Sequence, residues 1–182
     1  MINDDSILIE HILAGETEEF RHLMRRHGGT LLAFIETLVA SREEAEDIVQ
    51  ESFVNAFRSL HQYDSSIASF ATWLHRIAYN EYLRHVKRRQ LPTVSWDEDE
   101  RLLKSADETD DDSWMSEATE EQLARLDEVI DTLPEYDRTL LRLYYEDDLP
   151  LKEIAYILDS KDSILASRLR RIRNKLKKEL RT

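Results

Sequence analysis

Apolar residues recur at spacings of three and four almost from end to end of this chain, and that spacing admits few folds. Leu165, Leu169, Ile172, Leu176 and Leu180 step by 4, 3, 4 and 4, which lays one stripe along an α-helix. Phe20, Leu23, Met24, Leu31, Leu32, Ile35, Leu38 and Val39 keep the same period within residues 16–40. No stretch alternates apolar and polar residues with the period of two that marks a half-buried strand. Only 3 of the 182 residues are glycine. That scarcity suits helices and leaves no Gly-rich loop to cradle nucleotide phosphates. The expected fold class is all-α, with no internal repeat.

Capping and breaking residues cut the period into helices. Residues 3–13 form a short one, with Ile7, Leu8, Ile12 and Leu13 on one side. Gly28-Gly29 either breaks or bends the next segment. Ser41 and Glu44 make a capping box, which starts a helix running to about Leu60. Tyr63-Asp64-Ser65-Ser66 reads as a polar loop. Ser69 can cap a helix that holds Phe70, Trp73, Leu74, Ile77 and Ala78 and ends in Lys87-Arg88-Arg89. Pro92 closes this lobe. Residues 93–115 lack period and are dense in Asp and Glu, as an extended, self-repelling linker would be. A helix resumes near Ser116, with Leu123, Leu126, Val129, Ile130 and Leu133 inward. Pro134 restarts a helix to about Tyr145, and Pro150 sits in the first turn of a short helix, Leu151–Leu158. The turn Asp159-Ser160-Lys161 leads into a last helix from Asp162 to Leu180. The expected architecture is two helical domains, residues 1–92 and 116–182, joined by the acidic linker 93–115.

Charge is distributed unevenly. The net formal charge is −13, yet the stretch from Pro150 to Thr182 holds 10 basic and 4 acidic residues. From Asp97 to Glu128 the balance is 3 basic against 14 acidic. A phosphate meets the local field, so a basic tip on an acidic protein keeps nucleic acid open as a partner. With 0 Cys there is no disulfide, thiolate metal site or Cys nucleophile. No HExxH occurs, and His22, His27, His61, His75 and His85 lack ligand spacing, so neither a metal nor a cofactor is expected. No apolar run is long enough to span a membrane, and the acidic start Met1-Ile2-Asn3-Asp4-Asp5 is not a signal peptide. A cytoplasmic protein is expected.

Three constellations carry chemistry. The last two helices have the helix-turn-helix pattern. Away from the apolar stripe, Arg168, Arg171, Lys175 and Lys178 step by 3, 4 and 3, and Arg170, Arg173 and Lys177 widen the cationic surface. Such a helix suits the phosphate walls and major groove of DNA, although a solvated Lys/Arg face has the same pattern. Its first turns would present Ser163, Ala166, Ser167 and Arg170 or Arg171 to bases. The helix after Ser41 has two faces. Ala45, Ile48, Val49, Ser52, Ala56 and Phe57 face its own lobe; Asp47, Gln50, Glu51 and Val54 form a polar, acidic face that is either solvated or docks a basic partner helix. The helix after Ser69 combines Phe70, Trp73, Tyr79, Tyr82 and Asn80 with Arg84, Lys87, Arg88 and Arg89. Aromatic faces beside a cationic rim suit unpaired bases; the alternative is that Phe70, Trp73 and Ile77 are core.

Together these segments resemble one family. Glu44-Ala45-Glu46-Asp47-Ile48-Val49-Gln50-Glu51-Ser52-Phe53 is similar to a helix of the extracytoplasmic-function (ECF) sigma factors. Phe70-Ala71-Thr72-Trp73-Leu74-His75-Arg76-Ile77-Ala78-Tyr79-Asn80 resembles their F-x-T-W-L-x-R-I-A-x-N helix. Leu133-Pro134-Glu135, Glu153-Ile154-Ala155-Tyr156-Ile157-Leu158 and Ser167-Arg168-Leu169 resemble their C-terminal helices, in the same order. The resemblance implies a protein without catalysis of its own that binds core RNA polymerase and directs it to promoters. It places Asp47, Gln50, Glu51 and Val54 on the clamp helices of the largest catalytic subunit. The loop from Tyr63 through Ser65 to Ser69, with Phe70, Arg76, Tyr79 and Asn80, would capture a flipped base of the melted −10 element. Arg84, Lys87, Arg88 and Arg89 would hold nearby phosphates. Ser163, Ala166, Ser167, Arg168, Arg170, Arg171 and Lys175 would meet the −35 element. An anti-sigma factor is a further partner that the resemblance brings in.

Two positions depart from the family's pattern. Asp159 stands where a glycine is usual in the turn; Asp can adopt the left-handed conformation at modest cost. Ala166 removes a cation or donor, which shifts base reading toward apolar contact, Ser167 and Arg171. Two other classes remain on the residues alone: a free-standing helix-turn-helix regulator, and a small helical hydrolase using His and Asp/Glu, for which no nucleophile, metal motif or phosphate loop is present.

Overall fold

The computed structural model describes residues 4–89 and 120–180, and helices are its only regular elements. They fall into two units. The first holds α1 (Asp4–Leu13), α2 (Phe20–Glu36), α3 (Arg42–Ser59) and α4 (Phe70–Arg89), with single 3-10 turns at Thr17–Glu19 and Leu60–Gln62. The second holds α5 (Glu120–Asp131), α6 (Glu135–Tyr145), α7 (Leu151–Ile157) and α8 (Asp162–Leu180). The expected linker 93–115 and the helix start near Ser116 lie outside the described residues.

In the first unit α3 packs on both α2 and α4, and α2 touches α4. Leu23, Leu31, Phe34 and Ile35 of α2 meet Ala45, Ile48, Phe53 and Ala56 of α3 and Phe70, Leu74 and Ala78 of α4, all buried. Each large side chain among them contributes roughly 1.5–3 kcal/mol by leaving water. Ser41 starts α3 as expected: its Oγ accepts the Glu44 backbone N–H at 3.2 Å. Ser69 does the same for α4, accepting from Thr72 N–H at 3.1 Å. Gly28-Gly29 neither breaks nor ends α2, which runs through both. An alanine Cβ at Gly28 would touch the Phe53 ring at 4.0 Å, an ordinary contact.

Three expectations in this unit need correction. On α1 the inward face is Asp5, Ile9 and Ile12, while Ile7 and Leu13 are 41% and 56% exposed. A polar residue leads that face because Asp5 finds partners on α2: Arg26 donates to it, and His27 Nε2 lies 3.0 Å from Oδ2. On α3 the buried aromatic is Phe53, whereas Phe57 is exposed and sets its ring against Phe20 at 5.0 Å. Finally, α2 stops at Glu36 rather than near residue 40.

In the second unit α8 packs on α5 and α6. Leu140 and Leu143 of α6, Ile154 of α7, and Leu165, Leu169, Ile172 and Leu176 of α8 form its core. The α8 stripe read from the sequence is therefore the buried one; the Leu180 side chain lies outside the description. On α5, Leu126, Val129 and Ile130 are half-buried rather than enclosed. Pro150 stands just before α7, its carbonyl accepting the Glu153 N–H at 2.8 Å. The turn into α8 passes through Asp159 at φ 52°, the left-handed conformation expected there, and Asp148 adopts φ 50°.

Candidate nucleic-acid interface

Two helices of the first unit carry candidate residues. Asp47, Gln50, Glu51 and Val54 are all exposed on α3, one helical face opposite the buried Ala45, Ile48, Ser52 and Ala56. Ser52 is accommodated inside because its Oγ donates back to the Ile48 carbonyl at 2.6 Å. The outer face thus joins two carboxylates and an amide to Val54, which is 44% exposed. It offers a cationic partner both charge and apolar contact.

The loop before α4 is held by its own hydrogen bonds. Asp64 accepts from Ser66, whose hydroxyl and backbone N–H (2.8 Å) keep the carboxyl below its ordinary pKa. Tyr63 donates its hydroxyl to the Ala68 carbonyl at 3.2 Å and sets its ring 5.8 Å from Phe70 and 5.4 Å from Trp73. Burial, then Asp5 and Asp64 nearby, raise the Tyr63 phenol, so it stays a neutral donor across physiological pH. Ser65 is exposed, and so is Ile67, at 59%. A rigid turn with an outward isoleucine was not foreseen from the sequence; its signal was one apolar residue inside a polar loop.

The aromatic residues of α4 do not form a stacking platform. Phe70 is fully buried, Trp73, Tyr79 and Tyr82 nearly so, and Tyr79 packs beside Tyr82 at 6.1 Å. This corrects the expectation for Phe70 and Tyr79: α4 is covered by both α2 and α3, so its aromatic side is core. Asn80 is exposed, and Arg84, Lys87 and Arg88 continue from it toward the C-terminal end of α4. Arg76 lies one turn before Asn80; the Arg89 side chain is outside the description. Arg84 donates to Glu81, which is 5% exposed and also accepts from Asn55 of α3 at 2.9 Å.

In the second unit α7 and α8 make the helix-turn-helix. Ser163, Ala166, Arg171 and Lys175 are exposed on α8, and Ser167 and Arg170 half-buried. The Ser167 hydroxyl donates to the Ser163 carbonyl at 3.0 Å. Arg168 differs from its neighbours. Its Nε donates to Asp137 on α6, and its guanidinium lies 4.4 Å from the centre of the Tyr136 ring. These contacts tie α8 to α6. Arg173 is likewise engaged, donating to the Tyr145 hydroxyl at 2.7 Å. Asn174 is also exposed, in line with Ser163, Ala166 and Arg170, and a polar residue among cations leaves no mark in a charge stripe.

Residues 23–91 match sigma-70 region 2, and residues 123–176 match sigma-70 region 4. Over 185 aligned residues the chain is 30% identical to the RNA polymerase sigma-H factor of Pseudomonas aeruginosa, covering 97% of this chain and 93% of that protein. It is 31% identical over 183 residues to the ECF RNA polymerase sigma-E factor of Haemophilus influenzae, covering 97% and 95%. The chain belongs to the ECF sigma factors.

Sigma factors of this family bind core RNA polymerase and direct promoter recognition and transcription initiation without catalysis of their own, and this one does the same. Its fold is that of solved relatives. CnrH, in complex with the cytosolic domain of CnrY, superposes with a TM-score of 0.65 at 24% identity, over 98% of this chain and 97% of that one. The sigma factor RpoE of Bartonella quintana, in complex with the anti-sigma factor NepR, gives 0.60 at 19% identity, over 91% and 98%. Among the described residues of this sigma factor no helix is long and apolar enough to cross a membrane, and no group of three or more His, Asp or Glu is arranged to hold a metal ion.

Proposed function

We propose a division of labour between three faces. The α3 face of Asp47, Gln50, Glu51 and Val54 docks on the clamp helices of the largest catalytic subunit of core polymerase. The loop Tyr63–Ser69 and Asn80 take a base of the melted −10 element, with Arg76, Arg84, Lys87, Arg88 and Arg89 on nearby phosphates. The α8 face of Ser163, Ala166, Ser167, Arg170, Arg171 and Lys175 enters the major groove of the −35 element. An anti-sigma factor, covering the α3 face, is the partner that keeps the protein inactive. The reading also places the protein in the cytoplasm, with residues 1–92 and 116–182 as its two functional domains.

The observation that carries this reading is the exposed α3 face. A helix that already buries Ala45, Ile48, Phe53 and Ala56 has no packing need for an outer surface where Val54 stands among carboxylates and an amide. The cationic residues proposed to meet DNA are on other helices, at the end of α4 and along α8, and the α3 face adds only the exposed Arg58 at its C-terminal edge. A free-standing regulator would need no such acidic face. The two readings separate in one binding experiment. Labelled duplex selected from a random-sequence pool on the reconstituted holoenzyme should be bound tightly only when both this protein and core polymerase are present. Equally tight, sequence-specific binding by the protein alone would move the assignment to a free-standing regulator.

A further inference from the structure

Between the proposed polymerase face and the proposed DNA face lies a carboxylate that neither face uses. Glu81 of α4 is 5% exposed, and a buried carboxylate is costly unless it is hydrogen-bonded and paired. Its Oε1 takes two donors from different helices. Asn55 Nδ2 of α3 reaches it at 2.9 Å, and the Arg84 guanidinium of α4 reaches it from the next turn. The Arg84 side chain remains 63% exposed, so one end of its donor fork is anchored while the rest stays open to water. Arg84 stands four residues after Asn80, on the same side of the helix. Asn55 stands four residues after Glu51, on the same side of α3.

We infer that Glu81 is a positioning residue: it aims Arg84 at a backbone phosphate of the strand held beside Asn80, and Asn55 ties that aim to the helix that docks on polymerase. The inference rests on the proposed roles of α3 and α4. An unanchored arginine loses side-chain freedom each time it meets a phosphate; an arginine already fixed at one end loses less. A displacement of α3 on docking reaches Arg84 through a single shared oxygen. A bare salt bridge between residues three apart on one helix has no such link, because it needs nothing from α3.

The test uses holoenzyme made from full-length protein and core polymerase, with a bubble-bearing duplex selected from a random pool on the wild-type holoenzyme. The readout is the dependence of duplex affinity on salt concentration, with co-elution on polymerase as control. Arg84→Ala should reduce the salt slope by about 0.7, the value for one contact to single-stranded phosphate. Glu81→Gln should lower the slope by a similar amount, and the double variant should be no worse than Arg84→Ala alone. Asn55→Ala, which keeps both charges, should reduce the slope in the same direction with polymerase co-elution unchanged, and it decides the matter should Glu81→Gln fail to fold. A slope unchanged in Arg84→Ala would remove the basic end of α4 from the DNA face and so sink the underlying reading. A slope lowered in Arg84→Ala but unchanged or raised in Glu81→Gln and Asn55→Ala would overturn the positioning role alone.

Discussion

Arg168 and Arg171 stand one turn apart on α8 and meet different surroundings. The first is bound to Asp137 and lies over Tyr136; the second is exposed. Arg168→Ala should therefore cost about 1 kcal/mol of stability, read in thermal melts, from a lost ion pair and cation–π contact. Arg171→Ala should leave stability within about 0.5 kcal/mol and lower the salt slope of promoter binding by about one, if it meets a duplex phosphate. The reverse pattern would exchange their roles. The spacing along α8 made both residues cationic stripe, because the partner of Arg168 lies 31 residues earlier in the chain and no local pattern announces it. Phe70 and Tyr79 were misplaced for a related reason. Their motif suggests a stacking surface, while their burial follows from α2 and α3 both covering α4. Asn80, Arg84 and Lys87 stayed legible because the exposed side of a packed helix is the side its apolar period leaves out.

The helices themselves were readable from caps and breaks. Ser41 and Ser69 start α3 and α4, and removing either oxygen with alanine should cost about 1 kcal/mol. Unchanged melting of both variants would show that these caps contribute little. The glycines were less informative, since the sequence alone left Gly28-Gly29 open between a break and a bend. In the folded helix Gly29 has nothing within 4 Å of an added Cβ, so Gly29→Ala should stabilise α2 by roughly 0.5–1 kcal/mol. A loss of stability there would mean that α2 depends on the flexibility of that step. At the turn into α8, Asp159 holds φ 52°, the left-handed conformation expected from its place in the turn. The face of α1 was misread because period counts apolar residues only. Asp5 is inside because Arg26 and His27 await it.

For the molecule as a whole, an acidic chain with a basic C-terminal segment was evident from composition, and the chain's helices group into two units. What joins them lies outside the described residues, and no pattern in the sequence specifies how one face responds to another. The protein's net charge of −13 opposes DNA, while the acidic α3 face favours a cationic partner. Promoter binding should then be weak for the isolated protein and strong once polymerase is bound. Asn80→Ala should impair promoter opening, followed by reactivity of unpaired thymines, more than it impairs polymerase binding; an equal loss of both would count against its place at the melted strand. The most direct measurement is size-exclusion of the purified protein with bacterial core RNA polymerase, with and without Glu51→Arg. The wild-type chain should co-elute with the core, and Glu51→Arg, exposed on α3 and remote from the buried contacts, should elute alone while melting like the wild type. Co-elution of a fully folded Glu51→Arg variant, matched by Asp47→Arg, would contradict the assignment of that face.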